Sequence, residues 1–286
     1  MLLSNNLKNT IIISVYKDTD SLDLILDSLS NQTIIPNEVI ISEDGNSKEM
    51  VEYVKVAKDK YKKLDIVHLY QEDIGWRKNI ALNRAIVASK YEYLIFIDGD
   101  CIPYSSFIEG HIRNAEQKIV LCGKRIELGP KLSDKIKNRI LKVLDIEKKF
   151  FRFLPQLIKD DTKHLEDGLI FSMSSFVTKL VHKRYVRHIV GCNFSSFKEN
   201  FFAINGFNED FINPSEGEDV DPSWRFRKVG VDLKSIRLVA NVAHLYHKKR
   251  FDDNIGKINR EIMNKTKLEE IYYCINGINK DLRYKQ

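Results

Sequence analysis

Four short apolar runs, separated by segments patterned as helices, set the architecture open to this chain. "TIIISVY" ends at Tyr16, "NEVIISEDG" closes on Glu43, Asp44 and Gly45, "LDIVHLY" follows, and "YEYLIFIDGD" halts on Asp98 and Asp100. Between the first two, Leu22, Ile25, Leu26 and Leu29 recur at helical spacing behind the capping candidates Asp18, Thr19, Asp20 and Ser21, and "GWRKNIALNRAIVASK" also reads as a helix. "KIVLCGKRI" supplies a fifth strand. Runs this uniformly apolar are buried on both faces, so the pattern predicts an α/β fold, a Rossmann-like, mostly parallel sheet flanked by helices. Such sheets bind ligands at the carboxyl ends of their strands, which is where Asp44, Asp98 and Asp100 fall.

At 286 residues and 43% hydrophobic content the chain can bury a large core, as one α/β unit with an appendage or two small domains. A net charge of +6 favours anionic partners such as phosphates or lipid headgroups, and no aromatic-interleaved basic motif points to nucleic acid. Cys101, Cys122, Cys192 and Cys274 are widely spaced with no C-x-x-C pair, which indicates neither a zinc site nor a disulfide framework and fits a reducing compartment. The apolar stretch in "MLLSNNLKNT" is too short for a signal peptide, and no apolar run reaches membrane-spanning length. The expectation is a cytoplasmic protein without a membrane span.

Four regions emerge: 1–125, the alternating half; 126–190, a basic helical insertion; 191–250, with glycines and acids; and 251–286, a charged helical tail. In the insertion, Ile136, Ile140, Leu141 and Leu144 would form one face of a helix whose other faces carry Lys and Arg, followed by Phe150, Phe151 and Phe153. That face either covers the core or, over residues 131–153, rests on the inner face of an anionic membrane.

Three groups of residues carry chemistry. Asp98 and Asp100, two apart at a strand end with Gly99 between them, can reach one hard divalent cation that keeps open positions for phosphate oxygens. Glu216, Glu218, Asp219 and Asp221 pack four acids into six residues; such a cluster must face water, a ligand or neutralising partners, and one carboxylate could act as a general base. His244 and His247 end an apolar strand and become candidate metal ligands in the company of the Asp98–Asp100 pair. An Asp-x-Asp at a strand end also fits a phosphatase of the haloacid dehalogenase type, but that type usually places the motif near the N-terminus, and here it follows three earlier strands.

Taken in order, these segments resemble the family 2 glycosyltransferases of the GT-A fold and the related carboxyl-terminal galactosyltransferase module, over residues 9 to about 250. "QTIIPNEVIISEDGNS", "QEDIGWRKNIALNRAI", "IFIDGD", "GCNFSSFKENFFAINGFNEDF … GEDVDPSWRFRKVG" and "AHLYHKKR" are similar to that family's successive motifs. The resemblance implies an inverting, metal-dependent hexosyltransferase that uses a UDP-sugar and Mn²⁺ or Mg²⁺. It implies a glycan or lipid-linked glycan acceptor of surface polysaccharide or lipopolysaccharide synthesis. It places Tyr16 and Asp44 on the nucleoside, Arg77 and Asn83 near the diphosphate, and Asp98 with Gly99 by the ribose or metal. Asp100 and His247, or alternatively His244, would ligate the metal, Asp219 would be the general base, and Glu218 would support the acceptor. Lys17, Glu43, Leu82, and Pro214 with Ser215 depart from the usual pattern. A non-catalytic protein that binds sugar nucleotides or a membrane surface is the other reading.

Overall fold

The structure, a computed structural model, describes residues 7–214, 219–248 and 253–279. Three successive β-α-β units open the chain: β1 (Asn9–Val15), α1 (Thr19–Ser30), β2 (Glu38–Glu43), α2 (Lys48–Lys60), β3 (Ile66–Tyr70), α3 (Lys78–Ala88) and β4 (Tyr93–Asp98). Then come β5 (Cys101–Pro103), α4 (Phe107–Arg113), β6 (Ile119–Cys122) and β7 (Arg125–Glu127). The insertion contains α5 (Pro130–Lys137), α6 (Val143–Lys148), α7 (Phe150–Lys159), a short 3₁₀ turn and α8 (Phe176–His182). The chain closes with β8 (Phe194–Phe197), α9 (Lys198–Ala203), α10 (Asp221–Lys228), β9 (Asp232–Ser235), β10 (Val242–His244) and α11 (Asp253–Leu268).

The main sheet has the order β3-β2-β1-β4-β8-β6-β9, parallel throughout except for β8, which runs antiparallel to both neighbours. Strand alternation divides the apolar side chains between two cores. Ile11, Ile13, Val39, Ile41, Ile95 and Ile97 face one layer, whereas Ile12, Ile40, Leu94 and Phe96 face the other. Leu22 and Leu26 of α1 and Met50 of α2 cover the first layer; Leu82 and Ile86 of α3, Phe201 and Phe226 cover the second. Burying each such side chain contributes about 1.5–3 kcal/mol, so each strand helps to hold both layers. The helices start where the sequence marks them: Asp18 accepts from Ser21 N–H at 2.9 Å to cap α1, and Ser47 caps α2 through Met50 N–H at 3.1 Å.

Two expectations are corrected. "KIVLCGKRI" is two strands, β6 in the main sheet and β7 in a second sheet of order β5-β10-β7. The chain changes sheets at Gly123, where a Cβ would lie 2.3 Å from the Asn193 side chain. The helical face through Ile136, Ile140, Leu141 and Leu144 does not form either. Arg139 has φ +59°, a left-handed conformation that ends the helical run, and the chain restarts as α6 and α7. Ile136 is buried, but Ile140 is 75% exposed.

Candidate active site

The register of the sheet assembles the site. Ser14 pairs with Asp98 and Val15 with Glu43, so the ends of β1, β2 and β4 lie level. Asp44 N–H donates to Val15 O at 3.0 Å and Gly99 N–H to Ser14 O at 2.7 Å. Glycine is required there, because a Cβ would stand 2.9 Å from that carbonyl oxygen. The acids therefore edge one cleft of about 460 Å³, which Tyr16, Asp44, Lys78, Asp98, Asp100 and His247 help to line.

The second sheet brings the histidines in. In the β5–β10 pairing His244 lies opposite Cys101, and Leu245 N–H donates to Asp100 O at 2.9 Å. His244 Nε2 sits 3.4 Å and His247 Nε2 3.2 Å from the same oxygen, Asp100 Oδ2. Burial raises the Asp100 carboxyl, but hydrogen bonds and positive charge from the two imidazoles outweigh it and hold the group well below the usual carboxylate range. His247 Nδ1 is 3.1 Å from the Lys248 carbonyl, to which it can only donate. With Nδ1–H on that carbonyl, Nε2 faces Asp100 in one of two ways, as the donor of an imidazolium or with its lone pair turned to a cation shared with the carboxylate. One carboxylate oxygen and two imidazole nitrogens within 4.8 Å of one another fit a divalent transition ion of mixed N and O preference. In a second group of similar spacing, His164, Glu166 and Asp167, both acids are bound to Arg237.

Asp98 does not join this group. The strand ends at Asp98, so the two acids do not continue on one face; Asp98 Oδ1 instead meets Lys78 Nζ at 2.7 Å. Lys78 is the first residue of α3, and sequence reading passed over it; its position one step beyond Arg77, where a helix begins at the strand ends, was the available signal.

On the nucleoside side, Asp44 is fixed by Gln71 Nε2 and by Arg77 N–H, each at 2.7 Å. Burial raises its pKa, with those two hydrogen bonds opposing. Tyr16 is 45% exposed over the cleft. The adjoining Lys17 has φ +55°, a conformation asparagine takes more readily, and its ammonium is tied to Asp73 at 2.7 Å. Glu43 is buried and structural: it accepts from the Ser47 backbone and hydroxyl at 3.1 Å and pairs with His68 at 2.9 Å.

Arg77 and Asn83 are placed differently from the expectation. The guanidinium of Arg77 donates to Glu72 O, and this residue's link to the cleft is its backbone N–H on Asp44. Asn83 is buried, giving Nδ2 to Phe207 O at 2.8 Å and accepting from Phe207 N–H at 2.8 Å. Lying five residues into α3, it faces the α9 side, where it pins the 207–209 turn, and a Cβ on Gly206 would fall 2.3 Å from its oxygen.

The acidic cluster separates by role. Asp219 Oδ2 accepts from Gly191 N–H at 3.1 Å, and the residue lines a small pocket together with Ser14, Lys78 and Asp98, contiguous with the cleft. Asp221 is fully buried: its Oδ2 accepts from Arg225 Nε at 2.6 Å, and Arg225 Nη1 donates to Ile204 O and Gly206 O at 2.8 Å. Glu216 and Glu218 lie outside the described residues.

The model of glycosyl transferase family 2 matches residues 10–181, more than half of the chain. The chain belongs to that family. The model for the N-terminal domain of galactosyltransferase matches residues 172–248. Among curated relatives, Escherichia coli chondroitin synthase is 26% identical over 240 residues, 79% of this chain and 33% of that protein. Validoxylamine A glucosyltransferase of Streptomyces hygroscopicus subsp. limoneus is 24% identical over 232 residues, 78% of this chain and 49% of that protein. This family member thus spans between a third and half the length of those two. GalNAc-T7 solved with UDP, GalNAc and Mn²⁺ superposes with a TM-score of 0.61 at 13% identity, over 99% of this chain and 58% of that one. The mannosyltransferase PcManGT of Pyrobaculum calidifontis, solved with GDP-Man and Mn²⁺, gives 0.55 at 14% identity, over 88% of this chain and 60% of that one. The fold is GT-A, and the phosphatase reading is not favoured.

Proposed function

We propose that this chain transfers a hexose or N-acetylhexosamine from a UDP-sugar to a glycan hydroxyl with inversion at the anomeric carbon. The observation that carries this reading is the convergence of Asp100, His244 and His247 at the edge of a cleft whose far side holds Asp44 and Tyr16. Those three residues would hold Mn²⁺ or Mg²⁺. When bound, such an ion neutralises charge on the departing diphosphate. Asp44, held by Gln71 and the Arg77 N–H, presents a fixed carboxylate to a base edge such as uracil, with Tyr16 packing beside the nucleoside. Lys78 sets a positive charge beside Asp98 at the start of α3, where the positive end of the helix dipole also favours phosphate.

Asp219, steadied by Gly191 N–H, takes the acceptor proton, with Glu218 supporting the acceptor sugar. A carboxylate is a weak base for a hydroxyl, so the proton moves late, as the new bond acidifies the attacking oxygen. Positioning and leaving-group neutralisation then supply most of the acceleration. Galactose-type donors are favoured by the galactosyltransferase match over 172–248, and a polysaccharide acceptor by the chondroitin synthase relative. The proposed acceptor is a surface or lipid-linked glycan, and the proposed place is the cytoplasmic face of the inner membrane, touched by the basic insertion. No helix among the described residues is long and apolar enough to cross a membrane.

UDP release from a panel of UDP-sugars, with Mn²⁺ and with EDTA, tests the reading. Metal-dependent release from one donor, lost in Asp100→Ala, supports it and names the sugar. No binding of any UDP-sugar by calorimetry in the presence of Mn²⁺ would sink it.

A further inference from the structure

Charge is concentrated in one segment. Residues 131–159 hold nine Lys or Arg against three Asp or Glu, a surplus equal to the +6 of all 286 residues, so the rest of the chain is neutral overall. Two of the three acids are engaged internally: Glu147 accepts from Ser105 N–H at 2.9 Å and its hydroxyl at 2.5 Å, and Asp145 accepts from Lys142 N–H at 3.2 Å. Arg139 is paired with Asp23, and the other eight cations are exposed beside one remaining acid, Asp134, so the outer surface is cationic.

Within this segment α7 carries more apolar surface than the core can use. Phe150 and Leu157 are buried, and Phe153 and Leu154 are partly buried against the core, which accounts for the inward face. Phe151, Leu154, Pro155 and Ile158 follow at the i, i+3, i+4, i+7 spacing of an adjacent face. Phe151 is 75% and Ile158 60% exposed. Pro155, which lacks an N–H, leaves the Phe151 carbonyl without its helical donor, and it sits on this exposed face. Arg152 and Lys159 border the face further round the helix, and Lys148 and Lys149 lie exposed at its start. An apolar edge bordered by cations is the chemistry of a helix lying in a bilayer interface.

We propose that this edge of α7 seats the protein on an anionic lipid bilayer. Phe151 and Ile158 enter the boundary between headgroups and acyl chains, and Lys148, Lys149, Arg152 and Lys159 meet lipid phosphates. A second copy of the chain is the poorer occupant, since a two-fold interface would lay one cationic surface on its own image. The segment is also joined to the candidate active site: Lys137 of α5 lines the cleft, and Ser133 Oγ accepts from Tyr246 N–H at 2.8 Å. Seating α7 therefore brings the cleft to the membrane, where a lipid-linked acceptor would be presented. The inference deepens the membrane contact of the proposed function and rests on that part of it alone.

Flotation of the full chain with vesicles tests it, using phosphatidylcholine alone and with about a third phosphatidylglycerol. The wild type is expected to float with anionic vesicles at low salt, to be released at high salt, and to ignore neutral ones. Phe151→Ser with Ile158→Ser should weaken binding at least about tenfold, and Lys148→Glu with Lys149→Glu should abolish it. The helix α8 supplies the contrast, because it also exposes apolar groups, Phe176 at 79% and Leu180 at 57%. Phe176→Ser with Leu180→Ser should leave flotation within about twofold of wild type. The inference is overturned by failure of the wild type to float, by a Phe151 and Ile158 variant that floats as well as wild type, or by loss of flotation on changing α8 alone. A solution dimer that the α7 substitutions dissociate would overturn it as well. Melting temperature and UDP binding on the same samples separate misfolding, and failure of the transferase reading, from failure of the seat.

Discussion

Two pairs of aspartates with the same spacing, Asp98 with Asp100 and Asp219 with Asp221, end up in opposite circumstances. The first pair sits at the rim of the cleft, and each member meets a different partner from elsewhere: Lys78 of α3 for Asp98, and His244 at the end of β10 with His247 just beyond it for Asp100. The second pair is split by depth. Asp219 borders the cleft region, whereas Asp221 is sealed below it with the guanidinium of Arg225. Spacing along the chain says which carboxylates can approach one another. What each does is decided by the cation brought to it from elsewhere, and by whether water reaches it.

The sharpest way to break this comparison is Asp221→Ala. It leaves Arg225 charged and buried without its carboxylate, and stability should fall by about 3–5 kcal/mol in denaturant unfolding, much of the margin of an ordinary domain. A loss under ~1 kcal/mol would mean that Asp221 is not the structural member of its pair. Next, Asp100→Ala should lower metal-dependent turnover at least about 10³-fold while the circular dichroism of the folded state is retained. Asp219→Asn should cost about 10²-fold in kcat and spare UDP-sugar affinity; near-wild-type transfer would remove it from the chemistry. Lys78→Met tests the cation on Asp98 and should raise KM for the donor about tenfold, the value of one charge-assisted contact.

The smallest effect comes from Glu43. Burial raises its carboxyl, and the hydrogen bonds from His68 and Ser47 outweigh that, so its folded pKa lies below the ordinary 4.5. Its contribution to stability is therefore complete above about pH 4.5 and lost as pH falls through the lower, folded value. The acid limb of the stability profile should flatten in Glu43→Gln; an unchanged limb would show that other carboxylates control it.

The sheet was legible because periodicity alone carries it: uninterrupted apolar runs at β1, β2 and β4 can only be buried on both sides, and their acidic ends then share an edge. Asp18, one of four capping candidates, and the approach of His247 and His244 to Asp100 followed from local chemistry and motif order. The rest depended on long-range geometry that no window of sequence contains. Lys78 reaches Asp98 only because α3 starts level with the strand ends, and Asn83 turns away because α3 has by then rotated toward Phe207. The basic segment misled because its apolar residues keep helical spacing across a left-handed break at Arg139, which side-chain pattern does not register.

The antiparallel strand β8 has a consequence for biogenesis. It lies between β4 and β6, yet it comes from Phe194–Phe197, some seventy residues after β6 has been made. Until those four residues emerge from the ribosome, β4 presents an unpaired edge and β6 has neither of its sheet neighbours, since β9 is made later still. The last central pairing is also among the most distant in sequence, so ring closure there is slow relative to the β-α-β units. A chain stopped just after the insertion would hold the sheet β3-β2-β1-β4 with an open margin at β4 and with β6 still unattached to it. Synthesis of this protein therefore passes through a window in which chaperone capture competes with self-association, and β8 is the stroke that closes it.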